Sequence, residues 1–391
     1  MRIEDLRTDS GIRPLKYPLR DTPHATIETN RTCNMQCRLC YTLDRRSMKT
    51  RAEIEGEIEL ALEKRNLQTI TLLGGEPTLH PQLPEVVAFV KSRKLKCQIL
   101  TNGLIFLQDD QDRLLDRLLA SGVDRILLHV DSGQSHIYGN LEDVRRRLFQ
   151  KLERKKVHFG LSLTIYEDER GSMSGLIKKY TPYKYFDGIL SVLARDPGAP
   201  DRQIVSLTGE YRSLERGLRV GPSAYIPSSS QDGRIFWLIY LYFINALNGK
   251  TLALSPVTHR VVTTFYRILR GRHLFSIILK PSRQRLALLC LSTLEFFLHP
   301  GKIGDIAGFV WSSCLRDAIR FQFIAIQTPP GFDPEENGYL ICYHCPDATI
   351  RNGMLTPVCI ADFINPLDGH SPDGELSRDL YRLAYTHLGE I

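Results

Sequence analysis

Between residues 25 and 193 short β-branched runs alternate with charged, helix-period stretches. The strand-like runs are Ala25–Glu28, Thr69–Leu73, Cys97–Thr101, Arg125–Val130, Phe159–Thr164 and Gly188–Leu193. Between them lie Glu53–Arg65, Pro84–Lys91, Asp110–Ser121 and Leu141–Lys155, with Pro84 suited to a first helical position. This alternation predicts βα units and a parallel sheet. Six strands in this order predict an α/β fold, a partial (β/α)6 barrel of the TIM type. In that architecture the loops leaving the C-terminal strand ends share one face and carry the chemistry.

The pattern changes near residue 200, so four regions are expected. These are a lead-in (1–24), the partial barrel (25–200), an insert (201–335) and a C-terminal unit (336–391). Charge divides the same way. Residues 210–330 carry 15 Lys and Arg against 6 Asp and Glu, whereas residues 331–391 carry 3 against 10. A polar helix is expected near Leu376–Leu388. Within the insert, Ile235–Leu247, His259–Leu279, Arg285–Leu298 and Ile306–Ile326 read as buried or amphipathic helices, giving a mostly helical insert. None reaches the roughly 18–20 apolar residues of a spanning helix.

Nine cysteines in 391 residues are too few for a disulfide scaffold. Met1–Ser10 is charged and has no apolar core, which leads to the expectation of a cytoplasmic, reducing setting. There, clustered cysteines indicate metal or redox chemistry before disulfides. Six cluster: Cys33, Cys37 and Cys40, then Cys342, Cys345 and Cys359. Cys97, Cys290 and Cys314 stand alone in apolar surroundings and read as small buried hydrophobes.

Cys33, Cys37 and Cys40 form C-x3-C-x2-C in a loop after the first strand. Three thiolates at this spacing suit a soft iron site. Three ligands to a four-iron cluster leave one iron open to chelate a small molecule. A zinc knuckle would need a fourth Cys or His nearby, and residues 30–48 hold none.

With that loop, and with Gly74-Gly75-Glu76-Pro77 ending the second strand, the sequence resembles the radical S-adenosylmethionine (SAM) superfamily over roughly residues 25–195. The resemblance implies a [4Fe-4S] cluster on Cys33, Cys37 and Cys40, and SAM bound at its open iron. It places the SAM amino group at Gly74, Gly75, Glu76 and Pro77; glycines allow close approach and a carboxylate pairs with an ammonium. Thr101 and Asn102 end the third strand as in many members. Asp131 and Ser132 end the fourth, where ribose contacts usually lie. The family's aromatic residue before the third cysteine is Leu39 here, with Tyr41 after it as the adenine-side candidate. The implied activity is reductive SAM cleavage followed by hydrogen abstraction from an unactivated C–H bond. A reductant such as ferredoxin or flavodoxin is implied as partner.

In the C-terminal unit, Asn352-Gly353 between alternating segments predicts a type I′ hairpin. Arg351 then faces Met354 and Pro346 faces Cys359, so Cys345 lies one step from Cys359. The arrangement resembles the auxiliary-cluster (SPASM or twitch) units of radical SAM enzymes, implying a second iron–sulfur cluster. Five residues separate Gly353 from Cys359, one more than usual, and the downstream cysteines are missing. A single iron or zinc, or plain reduced thiols, remain alternatives. Cys314, His344, Asp347, a distant residue or the substrate are candidate fourth ligands.

Phe236, Trp237, Tyr240, Tyr242 and Phe243 sit in the basic insert. Aromatics beside cations predict a surface for anionic membrane and a lipid, isoprenoid or quinone substrate; burial against the barrel is the competing reading. Peptide maturation, and a non-catalytic iron–sulfur or SAM-binding protein, are alternative functions. Nucleic acid is disfavoured because the charges form no clustered tract.

Overall fold

The computed structural model describes residues 19–42, 45–109, 112–196, 199–203, 205–227, 235–270, 278–314, 318–333, 338–340, 342 and 345–364. Most of the lead-in, His344 and the expected helix near 376–388 lie outside them. The chain divides into two compact units: Tyr17–Asp124 with Ala194–Ile204 and Pro329–Ile391, here the cysteine unit, and Met1–Lys16 with Arg125–Leu193 and Val205–Thr328, here the insert unit.

The cysteine unit opens with β1 (His24–Asn30), α1 (Arg51–Lys64), β2 (Thr69–Gly74), α2 (Leu83–Ser92), β3 (Lys96–Thr101), α3 (Leu104–Gln108) and α4 (Arg113–Ala120). β1, β2 and β3 are parallel, with Ile27 opposite Leu72 and Leu72 opposite Ile99. Helix α1 starts at a reciprocal capping box between Thr50 and Glu53 and buries Ile54, Ile58 and Ala61.

The insert unit continues the alternation with β4 (Arg125–His129), α5 (Ser135–Tyr138), α6 (Leu141–Arg154), β5 (His158–Ile165), α7 (Met173–Tyr180) and β6 (Phe186–Leu193). β4, β5 and β6 are again parallel. All six strands and the helices between them follow the expected βα order. Phe149, Phe159, Tyr180, Tyr183 and Phe186 form one aromatic cluster under α6 and α7, with Phe149 and Phe159 centroids 4.8 Å apart.

The short pair β7 (Arg195–Asp196) and β8 (Ala199–Gln203) belongs to the cysteine unit. The insert unit resumes with α8 (Leu207–Leu218), β9 (Ala224–Pro227), β10 (Ile235–Asn245), β11 (Thr251–Ala253), α9 (Pro256–Arg270), α10 (Pro281–Leu298), α11 (Ile303–Cys314) and β12 (Ile319–Gln327). β12 runs parallel to β6, with Phe323 opposite Gly188, and β10 pairs antiparallel with β12, β9 and β11. Each unit is thus α/β and built on parallel strands: β1–β3 in the cysteine unit, and β4–β6 with β12 in the insert unit, where β10 adds an antiparallel strand.

The insert is mostly helical, as expected, but two of the segments read as helices are wholly or partly strand. Ile235–Leu247 is a strand up to Asn245, and every residue of β10 is buried. Ile306–Ile326 is divided between α11 and β12. A strand covered on both faces has no polar alternation, so its apolar run matches a buried helix equally well. Phe236, Trp237, Tyr240, Tyr242 and Phe243 are at most 5% exposed, so they are core and not a membrane-facing group. Cys97 is buried as expected, whereas Cys290 is exposed on α10.

The cysteine unit ends with β13 (Gly331–Asp333), β14 (Gly338–Leu340), β15 (Ala348–Arg351), β16 (Met354–Pro357) and α12 (Ala361–Ile364). β15 and β16 form the expected hairpin, Arg351 opposite Met354. Asn352 and Gly353 turn it with φ of 47° and 78°, the left-handed pair that a type I′ turn requires.

Candidate functional site

The cysteine loop is an excursion clamped at its base. The Arg31 amide donates to the Ser47 carbonyl at 2.8 Å, and the Lys49 amide to the Thr29 carbonyl at 3.3 Å. Residues 32–46 therefore leave and rejoin the C-terminal end of β1. Cys33, Cys37 and Cys40 on it are half-buried and in no disulfide. The Met35 amide donates to Cys33 Sγ at 3.4 Å. Burial pushes the Cys33 thiol up, and nearby Glu76 and Cys40 add to this; the Met35 amide and Arg45 oppose it.

Gly74-Gly75-Glu76-Pro77 lies against that loop. The Gly75 amide donates to the Asn30 carbonyl at 2.7 Å, and the Glu76 amide to the Thr32 carbonyl at 2.9 Å. A Cβ on Gly74 would lie 2.0 Å from the Asn30 oxygen, and one on Gly75 2.3 Å from the Arg31 and Thr32 oxygens. Only glycine lets the second strand end come this close to the first. Asn30 Nδ2 donates to the Thr32 carbonyl at 2.8 Å and the Glu76 carbonyl at 3.0 Å, tying both segments to β1.

Glu76 is 1% exposed. One carboxylate oxygen accepts from the Thr78 amide and hydroxyl and from the Thr101 hydroxyl; the other accepts from the Asn102 amide at 2.8 Å. Burial outweighs these donors and raises its pKa. Asn102 Nδ2 also donates to Asn34 Oδ1 at 2.7 Å, joining the end of β3 to the cysteine loop. The cysteine loop, Gly74–Pro77, Thr101 and Asn102 thus form one hydrogen-bonded assembly at the strand ends.

Tyr41 is held well above its usual range, first by burial and then by Glu28, Cys40 and Asp362. Those carboxylates belong to a network that spacing gave no means of finding. Arg351 of β15 bonds Glu28 of β1 at 2.6 Å and Asp362 of α12 at 3.1 Å, and Arg31 holds Asp362 at 2.8 Å. The network fastens the C-terminal hairpin to β1 just below the cysteine loop.

Asp131 and Ser132 belong to the insert unit. The Asp131 carboxylate is fully buried and committed internally, to His129 Nε2 at 2.7 Å, the Thr164 amide at 2.8 Å and the Gly133 amide at 3.0 Å. Burial pushes its pKa up, but His129 and the two amides win and hold it below the usual range. It caps the turn after β4 and holds His129. Half-buried Ser132 bonds Glu169.

In the C-terminal group, Cys342 and Cys345 are buried and Cys359 is half-buried. Burial and a hydrogen bond with Cys342 drive the Cys345 thiol well up, the hydrogen bond first. Arg65 lies beside them, pushed down to about 10 by burial. The Val358 amide donates to the Asp347 carbonyl at 2.9 Å, extending the hairpin register toward Cys345 and Cys359. His24 Nδ1 stands 2.8 Å from the Pro346 carbonyl and 3.2 Å from Asp347. Asp347 is thus engaged by His24. Cys314 ends α11 in the insert unit.

Among the described residues no three His, Cys, Asp or Glu side chains already converge as a metal site. The donor chemistry nonetheless suits a soft cluster at the first loop: three half-buried thiols, in no disulfide, on one clamped excursion packed against Gly74 and Gly75. The second group supplies two buried thiols and a third, Cys359, in the 3-10 turn after β16; the hairpin register ends at Ala348 opposite Pro357, so Pro346 and Cys359 are not strand partners.

Residues 27–154 match the model of the radical SAM superfamily. Relatives include a probable GTP 3',8-cyclase of Methanococcus aeolicus, 23% identical over 171 residues, covering 40% of this chain and 55% of the relative. The GTP 3',8-cyclase of Chlorobaculum tepidum is 30% identical over 118 residues, covering 29% and 34%. The antilisterial bacteriocin subtilosin biosynthesis protein AlbA of Bacillus subtilis is 29% identical over 115 residues, covering 27% and 23%. The chain therefore spans about half, or less, of these relatives. Among solved structures, Streptococcus suis SuiB bound to S-adenosylmethionine aligns with TM-score 0.37 and 16% identity, covering 45% of this chain and 40% of that one.

Proposed function

We propose that this chain, which carries a radical SAM domain over residues 27–154, is a radical SAM enzyme. The observation that carries the reading is the hydrogen-bonded joining of the cysteine loop to Gly74–Pro77 and Asn102. Cys33, Cys37 and Cys40 would hold a four-iron cluster, and Gly74–Pro77 would receive the methionine end of SAM. Held by these residues, a reduced cluster would supply the one electron that cleaves a SAM carbon–sulfur bond, the chemistry by which methionine is released and substrate hydrogen is abstracted. The chain's own residues bind and position. Glu76 keeps a desolvated carboxylate whose second oxygen, among the described residues, accepts the Asn102 amide, leaving capacity for an ammonium. Gly74 and Gly75 keep backbone close to the loop, and Tyr41 lies next to Cys40.

Reduced, reconstituted protein given SAM should release 5′-deoxyadenosine. Cys33→Ala, Cys37→Ala and Cys40→Ala should each abolish release. Tight SAM binding without any release under a strong reductant would instead establish a non-catalytic SAM-binding protein.

The hydrophobic-substrate reading loses its main support, because the aromatic group behind it is core. Peptide maturation gains support from AlbA among the relatives and from the cysteine hairpin, where Cys342, Cys345 and Cys359 would hold an auxiliary cluster. A low-potential ferredoxin or flavodoxin remains the proposed reductant. Mass spectrometry of peptide extracts after incubation with SAM and reductant tests the substrate; a product only in lipid extracts would reverse the preference.

A further inference from the structure

Helices α9 and α10 have their polarity reversed, and α11 beside them buries Ile306 and Phe309 but leaves Trp311 exposed. On α10 the buried positions are Gln284, Leu288, Ser292 and Glu295, a face spaced four, four and three residues apart and mostly polar. On α9 they are Thr258, His259 and Thr263. These inward groups are satisfied locally: Gln284 donates to the Leu279 carbonyl at 3.2 Å and Thr263 to the His259 carbonyl at 2.9 Å, while Glu295 accepts from the Ser255 amide. The large apolar side chains point the other way. Phe265, Ile268 and Leu269 of α9, Leu286 and Phe297 of α10 and Trp311 of α11 are 62–77% exposed. A water-facing helix does the opposite, burying its apolar stripe. α10 packs on both α9 and α11, so the three helices make one layer.

Charge identifies what covers it. Residues 256–314 contain eight Lys and Arg against two Asp and Glu. Arg267, Arg270, Arg283 and Arg285 alternate along α9 and α10 with the exposed apolar residues, and all four are exposed. An exposed apolar face with interleaved arginines is complementary to the anionic headgroups and acyl boundary of a phospholipid layer. A second copy of the chain would bring the same positive face against itself. Among the described residues no helix is long and apolar enough to cross a membrane, so contact through these helices would be in the interfacial plane.

We propose that α9, α10 and α11 form a docking surface for an anionic phospholipid bilayer. The side chains concerned are not the β10 aromatics, and the proposal does not depend on the chemistry of the cysteine loop.

The full chain should float with mixed phosphatidylglycerol and phosphatidylcholine vesicles, float far less with phosphatidylcholine alone, and be released by high salt. Of the two tryptophans, Trp237 is 1% exposed and Trp311 is 74% exposed, so Trp311 is a built-in reporter. Its emission should shift to the blue on vesicle binding, and Trp311→Phe should remove that shift without removing flotation. The combination F265S, L269S, F297S and W311S should abolish flotation while leaving the far-ultraviolet circular dichroism unchanged, since all four are exposed. Arg267→Gln with R270Q, R283Q and R285Q should weaken binding about tenfold or more at low salt. Wild-type protein that stays with the unbound fraction overturns the proposal. So does a concentration-dependent dimer, without lipid, that the four serine substitutions dissociate; the face would then be covered by a second copy.

Discussion

Arg351 shows what one residue can hold together. It is 1% exposed and bonds both Glu28 and Asp362, 323 and 11 residues away in sequence. Removing it leaves buried carboxylates without their shared cation, so Arg351→Met should destabilise the fold by about 3–5 kcal/mol in chemical denaturation. A cost near zero would mean Arg31 compensates alone. His259 gives a pH signature. Burial lowers its pKa from 6.5 to about 4. Between those values the unfolded chain takes up a proton that the folded chain refuses, so stability falls as pH drops from 6.5 toward 4 and rises with pH across the same window. The span corresponds to about 3 kcal/mol, and His259→Gln should flatten that part of a stability–pH profile. Cys33, Cys37, Cys40 and Gly74–Pro77 were legible in the sequence because their relation is local or set by adjacent parallel strands. The Glu28–Arg351–Asp362 network was not, because no spacing rule connects a first strand to a C-terminal hairpin.

At the level of elements, the βα alternation and the Asn352-Gly353 hairpin register could be read directly, since both rest on short-range periodicity and turn chemistry. β10 could not. Its apolar run is the signature of double-sided burial, and only the pairing with β12 and β9 makes it a strand. That burial also has a testable cost. Among the described residues the Tyr240 hydroxyl is buried with no hydrogen-bond partner. Tyr240→Phe keeps the ring and deletes the unsatisfied group, so it should leave stability equal or raise it by about 1 kcal/mol. A loss of 1 kcal/mol or more in thermal or denaturant unfolding would show that the hydroxyl is bonded in solution. The inverted faces of α9 and α10 escaped the sequence for a related reason: periodicity marks an apolar stripe but not which way it points.

For the whole molecule, both thiol groups belong to the cysteine unit, and the basic apolar helices to the insert unit. If the two thiol groups bind clusters independently, their metal contents should separate by mutation. Anaerobically reconstituted wild type should then hold about eight irons per chain, at four for each cluster. Cys342→Ala with Cys345→Ala should leave about four, together with the ability to cleave SAM at least once per chain. Cys33→Ala with Cys37→Ala should also leave about four, but with no cleavage at all. Iron analysis and Mössbauer spectroscopy read the two losses separately from activity. A wild type with only about four irons, all lost with Cys33 and Cys37, would reduce Cys342, Cys345 and Cys359 to structural thiols. Their burial beside Arg65 would then serve the packing of the hairpin on β1 and nothing more.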